Sequence, residues 1–371
     1  MERLVFPHVT SSTPPVHGND TAGFRYGIFS SHPASYGLLL QERQPFFHAI
    51  ERCYRQLLDD EPLLSRERTL SRYDRLSVAL TVAQVTQLQP LCSFYATRLA
   101  PLDYPHNSRE GNNRLTQLTQ HARLLAWNPG RAGVQDISAL RQAKLTLHDI
   151  VTLSQIVGFV SLQARMIAAT VALAQHAFAP APDDLPTPQI SPPEQEKTAV
   201  WRPFLPLAPT ADCRPLPVCG APQSLAYALM LLEMHQADAA AESRLLFSEG
   251  FNCNDRLRQP LRELAFLIGA RANHCPHSAH HHLTRYLLLS KHRDQAEAIY
   301  RDPLAAMEHC ARRDHAIINA TLTLARTPAR FSPELITALR QAELSDAESL
   351  ELIVAVATAA WTQRLLVSLG E

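Results

Sequence analysis

"ISALRQAKLT", residues 137–146, returns 199 positions later as "ITALRQAELS", residues 336–345, with seven of ten residues identical. The register holds without a gap on both sides. Upstream, Leu125, Ala126, Pro129 and Arg131 match Leu324, Ala325, Pro328 and Arg330. Downstream, Leu153 and Arg165 match Leu352 and Arg364. Chance supplies one short match easily. One register kept over about 40 residues, with Pro and Arg at matching places, indicates an internal duplication.

The repeated unit reads as helix. "LHDIVTLSQIVGFVSLQARMIAATVALAQHAF", which follows the first copy, is apolar around most of its circumference, the mark of a core or interface helix. Its counterpart, "DAESLELIVAVATAAWTQRLLVSL", opens with an acidic first turn suited to the helix dipole. "NPGRAG" and "TPARF" are stops between helices. The 371 residues contain only 12 glycines and are 46% hydrophobic, so a large helical core is expected. Strand-like alternation is scarce. The expected fold is all-α, with two tandem helical domains related by the duplication.

Residues 180–222 hold 12 prolines and form the clearest boundary. Proline fixes φ and removes donors, so no regular element persists there. "AVWRPFLPL" is too apolar for a solvated tether and should pack across the domain surfaces as a strap. The expected division is an N-terminal extension over 1–60, a first repeat over 61–179, the strap over 180–222 and a second repeat over 223–371.

Lys+Arg and Asp+Glu balance at 35 each. A nucleic-acid partner would need a basic face, so none is expected. No uninterrupted apolar run approaches the roughly 20 residues of a membrane span, and no membrane partner is expected. "MERLVFPHVTSSTPP" has no charged-then-apolar leader pattern. Seven scattered cysteines suit a reducing cytoplasm better than a disulfide scaffold. Cys213 and Cys219 lack a second pair at zinc-like spacing.

The chemistry-bearing stretch is "NHCPHSAHHHL", 273–283. Pro276 fits the first turn of a new helix, which puts Cys275 near the N-cap. Unsatisfied N–H groups and the helix dipole there lower a thiol pKa. Cys275, Ser278 and His282 share one face of that helix. Glu263, on the preceding helix, reaches the same face if the two pack antiparallel. A carboxylate orients an imidazole, and the imidazole accepts a thiol proton: a relay for covalent chemistry.

Glu263, Cys275, Ser278 and His282 stand in the pattern E-x11-C-x2-S-x3-H. This resembles the E-x11-C-x2-C-x3-H motif of the AhpD-like alkylhydroperoxidase and carboxymuconolactone decarboxylase family. His277 falls where some members carry a histidine between two cysteines. The motif spans 20 residues, and the duplicated helical pattern extends the resemblance over most of 60–180 and 220–371. The resemblance implies an all-helical, oligomeric peroxidase-like oxidoreductase, with fused two-repeat members known. A small-molecule substrate and a thiol reductant are expected with it, and neither a cofactor nor a metal is expected.

Two departures limit it. The family's second cysteine attacks peroxide and the first resolves the sulfenic acid; here the second is Ser278, which has no oxidation ladder. The first repeat lacks the motif: Cys92 stands in its region, with Arg75 or a neighbour in place of the glutamate and Phe94 in place of the histidine. The expected activity is therefore an oxidoreductase with one reactive thiol, Cys275, reduced by an outside thiol or by Cys253 or Cys310. The alternatives are an inactive oligomeric binding or structural member, and a non-redox acid–base enzyme of the decarboxylase type using Glu263 and His282.

Each residue has a plainer role open to it. Cys275 can be a packed structural cysteine, Glu263 a helix-pairing carboxylate, His282 a hydrogen-bonded core histidine, and Ser278 a packing residue or proton-relaying hydroxyl. His277 and His281 stand i, i+4 as metal ligands can, with only Glu263 or His282 as a third donor. Arg165 and Arg364 suit anion binding or, more simply, ion pairs that dock helices. Trp201 and Trp361 suit the core.

Overall fold

A computed structural model describes residues 43–103, 108–174, 189–190, 200–206, 215–235, 237–252 and 257–371. Most of the 1–60 extension and of the proline-rich boundary lies outside these residues, as do Cys213 and Cys253.

Fifteen α-helices and no strand occur among the described residues, so the chain is all-α. The helices are α1 (Gln44–Tyr54), α2 (Arg72–Thr86), α3 (Gln89–Leu99), α4 (Arg109–Trp127), α5 (Val134–Gln142) and α6 (Leu147–Leu173). They continue with α7 (Gln223–Met234), α8 (Ala240–Phe251), α9 (Gln259–Ala272), α10 (Pro276–Leu289) and α11 (Arg293–Arg301). The last four are α12 (Pro303–His309), α13 (Arg312–Arg326), α14 (Pro333–Gln341) and α15 (Asp346–Leu369).

Local signals place the ends. Ser71, Thr146 and Ser345 each accept an N–H three residues on, and Asp74, Asp149 and Glu348 return the bond. These capping boxes satisfy N–H groups that a helix start leaves unpaired. Pro90, Pro260, Pro276, Pro303 and Pro333 stand in first turns, where the missing N–H costs nothing.

Elements recur at the sequence offset. The 3-10 turn Pro129–Arg131, helix α5 and helix α6 have counterparts in Pro328–Arg330, α14 and α15. Lys144 and Glu343, which close α5 and α14, are both left-handed, at φ 63° and 65°. Helices α11 and α12 have no counterpart among the described residues between α3 and α4.

Helices α6 and α15 pack against each other at the centre of one continuous core. Trp361 sits edge-on to Phe159 and Phe247, with centroids 5.3 and 5.0 Å away. By length and composition both helices could cross a membrane, yet 94% of each apolar window is buried inside the protein. Some polar side chains are carried inward in bonded groups. Glu351 on α15 takes bonds from Arg43 Nε at 2.7 Å and Arg262 at 2.9 Å.

Two segments outside residues 61–179 and 223–371 join this core. Helix α1, within the 1–60 extension, buries Phe46, Ile50 and Tyr54 and packs on α8. Residues 200–206 clamp the C-terminal end: the Trp201 indole donates to the Leu366 carbonyl at 3.1 Å, and Arg202 and Glu371 exchange backbone bonds. Trp201 is buried, as "AVWRPFLPL" suggests.

Candidate functional site

Helix α9 turns back into α10 through three residues, Asn273, His274 and Cys275. His274 takes a left-handed φ of 52°, and the Cys275 N–H closes the turn on the Ala270 carbonyl at 2.9 Å. Cys275 is the N-cap of α10 and Pro276 its first residue. The reversal lays α10 along α9, so Glu263 and His282 meet although 19 residues separate them.

His282 Nδ1 lies 2.7 Å from Glu263 Oε2. The other carboxylate oxygen accepts from Arg285 Nε at 2.6 Å. The imidazole lies flat on Phe266, with centroids 4.7 Å apart and planes 14° apart. Glu263, Ser278 and His282 are all buried. Burial alone raises the Glu263 pKa, but the bonds and charges of His282 and Arg285 outweigh it and hold the carboxyl below its ordinary value. Burial lowers the His282 pKa more than Glu263 raises it. With Nδ1 facing the carboxylate, a neutral imidazole would donate its Nδ1 proton there, as a positioned base does. Its Nε2 is buried with no hydrogen-bond partner.

The thiol is placed otherwise than the N-cap argument suggests. Cys275 is 1% exposed, and burial pushes its pKa from 9.0 up to about 12. The backbone N–H of Ser278 pulls it back only in part. Desolvation of the thiolate outweighs the helix start. No hydrogen bond joins the Cys275 sulfur to His282 or Glu263.

Ser278 belongs to a different chain of bonds. Its hydroxyl accepts from Gln363 Nε2 at 3.1 Å. Gln363 Oε1 accepts from Asn273 at 2.8 Å, and Asn273 Oδ1 accepts from Arg364 at 3.0 Å. Ser278 is therefore held by α15, not aimed at the imidazole.

The histidine run separates. His277 is half-buried at the start of α10, and His280 is exposed. His281 lies 3.3 Å from the Gly220 carbonyl, edge-on to His282. Among the described residues no group of three or more His, Cys, Asp or Glu could hold a metal ion. Cys310 is half-buried in a separate surface cavity formed by α11–α13.

The first half aligns differently from the sequence expectation. Leu88 is the N-cap of α3 as Cys275 is of α10, each after a left-handed residue. Counting from the caps sets Leu76 opposite Glu263, Leu91 opposite Ser278 and Tyr95 opposite His282. Cys92 and Phe94 fall one residue away from these places. Arg75 instead matches Arg262: both reach back to carbonyls before their helices and to an acid, Asp238 at 2.6 Å and Glu351 at 2.9 Å.

Three participants escaped the sequence reading: Arg285, Gln363 and Phe266. Arg285 stands one turn beyond His282, where a helix brings a second side chain to the same carboxylate. Gln363 and Phe266 gave no local signal. No protein-family model matches the chain, and no curated protein matches it.

Proposed function

We propose that the chain is a two-repeat relative of the AhpD-like alkylhydroperoxidases and carboxymuconolactone decarboxylases. The duplicated register supports the repeat. In this reading the second repeat is an oxidoreductase site: Cys275 reduces a peroxide or similar small electrophile, and the Glu263–His282 pair handles protons. The observation that carries it is the 2.7 Å contact between His282 Nδ1 and Glu263, at the motif's spacing, with Nε2 left open.

The thiol loses its proton to His282 as its sulfur attacks the peroxide. The S–O bond forms, the O–O bond breaks, and the protonated leaving oxygen departs as alcohol or water. Cys275 becomes a sulfenic acid. One outside thiol displaces water from it, forming a mixed disulfide. A second outside thiol releases Cys275 and leaves as the donor's disulfide. Because Cys275 is buried and its thiol is pushed up to about 12, the site must open for this step. A reducing cytoplasm and a homo-oligomer fit this reading.

A second reading rests on that same burial and on Ser278 being tied to Gln363: an inactive member kept as an oligomeric binding or structural module. Peroxide consumption with a small-molecule thiol donor separates the two. Turnover by the intact protein, lost in Cys275→Ala, supports the first. No turnover with or without the donor supports the second. Activity on a small acid or lactone that survives Cys275→Ala but not His282→Ala points to acid–base chemistry instead.

A further inference from the structure

The long helices α6 and α15 carry Arg165 and Arg364 at equivalent places, and both are buried. Each guanidinium donates back along its own helix, Arg165 to the Ser161 carbonyl at 2.7 Å and Arg364 to the Ala360 carbonyl at 3.0 Å. Each also crosses to the other half, Arg165 to the Ala325 carbonyl and Arg364 to the Ala126 carbonyl. Among the described residues no carboxylate pairs with either, so the ion pairs expected from sequence are replaced by carbonyl contacts. Each keeps one buried Nε–H that no group accepts.

Between them lies a cavity of about 40 Å³, lined also by Thr86, Asn273, Arg326 and Trp127. Its lining contains three arginines and no acid. We propose that this cavity is a binding site for one small inorganic anion of halide size. A water molecule could accept from an Nε–H, but it leaves the charges of two buried guanidiniums uncompensated. An anion accepts the same bonds and removes the repulsion. Burial lowers the Arg165 pKa to about 9, which still leaves it charged at neutral pH. Burial and the charge of Arg165 both push Arg364 down, the direction expected when a counter-charge is wanting. The size of the cavity excludes a nucleotide or a carboxylic acid with a long tail. This inference is independent of the peroxidase reading, although Asn273 and Gln363 link Arg364 to Ser278.

Thermal unfolding of the full chain in chloride against gluconate, at constant ionic strength, tests it. The Tm is expected to rise saturably with chloride by about 2–4 °C. Arg165→Met is expected to abolish the dependence. Equal Tm values in the two salts for the intact protein overturn the proposal. If the variant does not fold, anomalous diffraction from bromide-soaked crystals replaces it. A peak between the two guanidiniums supports the site; bromide only elsewhere on the surface overturns it.

Discussion

Arg165 and Arg364 make the same contact from opposite sides: each binds a carbonyl in the last turn of the other half's helix, Ala325 in α13 and Ala126 in α4. The relation is that of an isologous interface, in which i meets j and j meets i. A cation at a helix C-terminus also satisfies orphan carbonyls and suits the dipole. Arg165→Met or Arg364→Met alone should each cost about 2–3 kcal/mol, the scale of a charged hydrogen bond left unmade. The double variant should cost more than the sum, because either single variant already relieves the repulsion of the two charges and the double can relieve it only once. Urea unfolding of the two singles and the double measures this; strict additivity would mean the two sites do not interact.

Gly158 on α6 packs directly against the Trp361 indole of α15. A Cβ built there would lie 2.0 Å from Trp361 Cδ1. Gly158→Ala should destabilise by about 1–3 kcal/mol, the usual cost of overpacking. Gly133, whose added Cβ meets nothing within 4 Å, is the control. Denaturant midpoints should fall for the first and stay nearly level for the second.

Stability should fall on mild acidification. His121 is buried in α4 with both ring nitrogens unpartnered, and burial takes its pKa from 6.5 down to about 4. His282 is also lowered, by burial against the opposing pull of Glu263. Between the folded and unfolded values the unfolded chain binds more protons, so stability rises with pH in that window. It is fully present above pH 6.5 and drains away toward pH 4, by about 3 kcal/mol for His121 alone. Chemical denaturation from pH 7 to pH 4 should show this slope, and His121→Phe should flatten it. A stability that increases on acidification contradicts the buried neutral histidine.

Cysteine labelling should be strongly uneven. Cys219 is exposed, whereas Cys275 is buried with its thiol pushed up to about 12. A charged disulfide reagent at pH 8 should modify Cys219 first and Cys275 only on the timescale of opening. Peptide mapping over time reads the order. Equal rates would mean that Cys275 is open at rest.

What the sequence revealed followed from how local each signal is. Thr146 and Ser345 cap helices because of a residue three positions on, and a reader can see that residue. Glu263 and His282 were legible as a pair because their elements adjoin and the reversal at Cys275–Pro276 is written in one proline. The Ser278–Gln363 bond was not, since it joins residues 85 apart through the packing of α10 on α15. The Cys275 thiol was misjudged for a related reason: the N-cap is local, but the burial that outweighs it comes from the whole core. The offset of 199 was visible near Arg165 and Arg364 and lost near Leu88, where α11 and α12 lengthen the second half.

The central claim, that Glu263 and His282 serve Cys275 in reducing a peroxide, is tested most directly by trapping the first product. The intact protein is given one pulse of hydrogen peroxide with a sulfenic-acid-selective carbon nucleophile present, and the adduct is mapped by mass spectrometry. The account predicts one adduct, on Cys275, strongly reduced in His282→Gln. An adduct confined to exposed Cys219, or labelling of Cys275 that His282→Gln leaves unchanged, contradicts it.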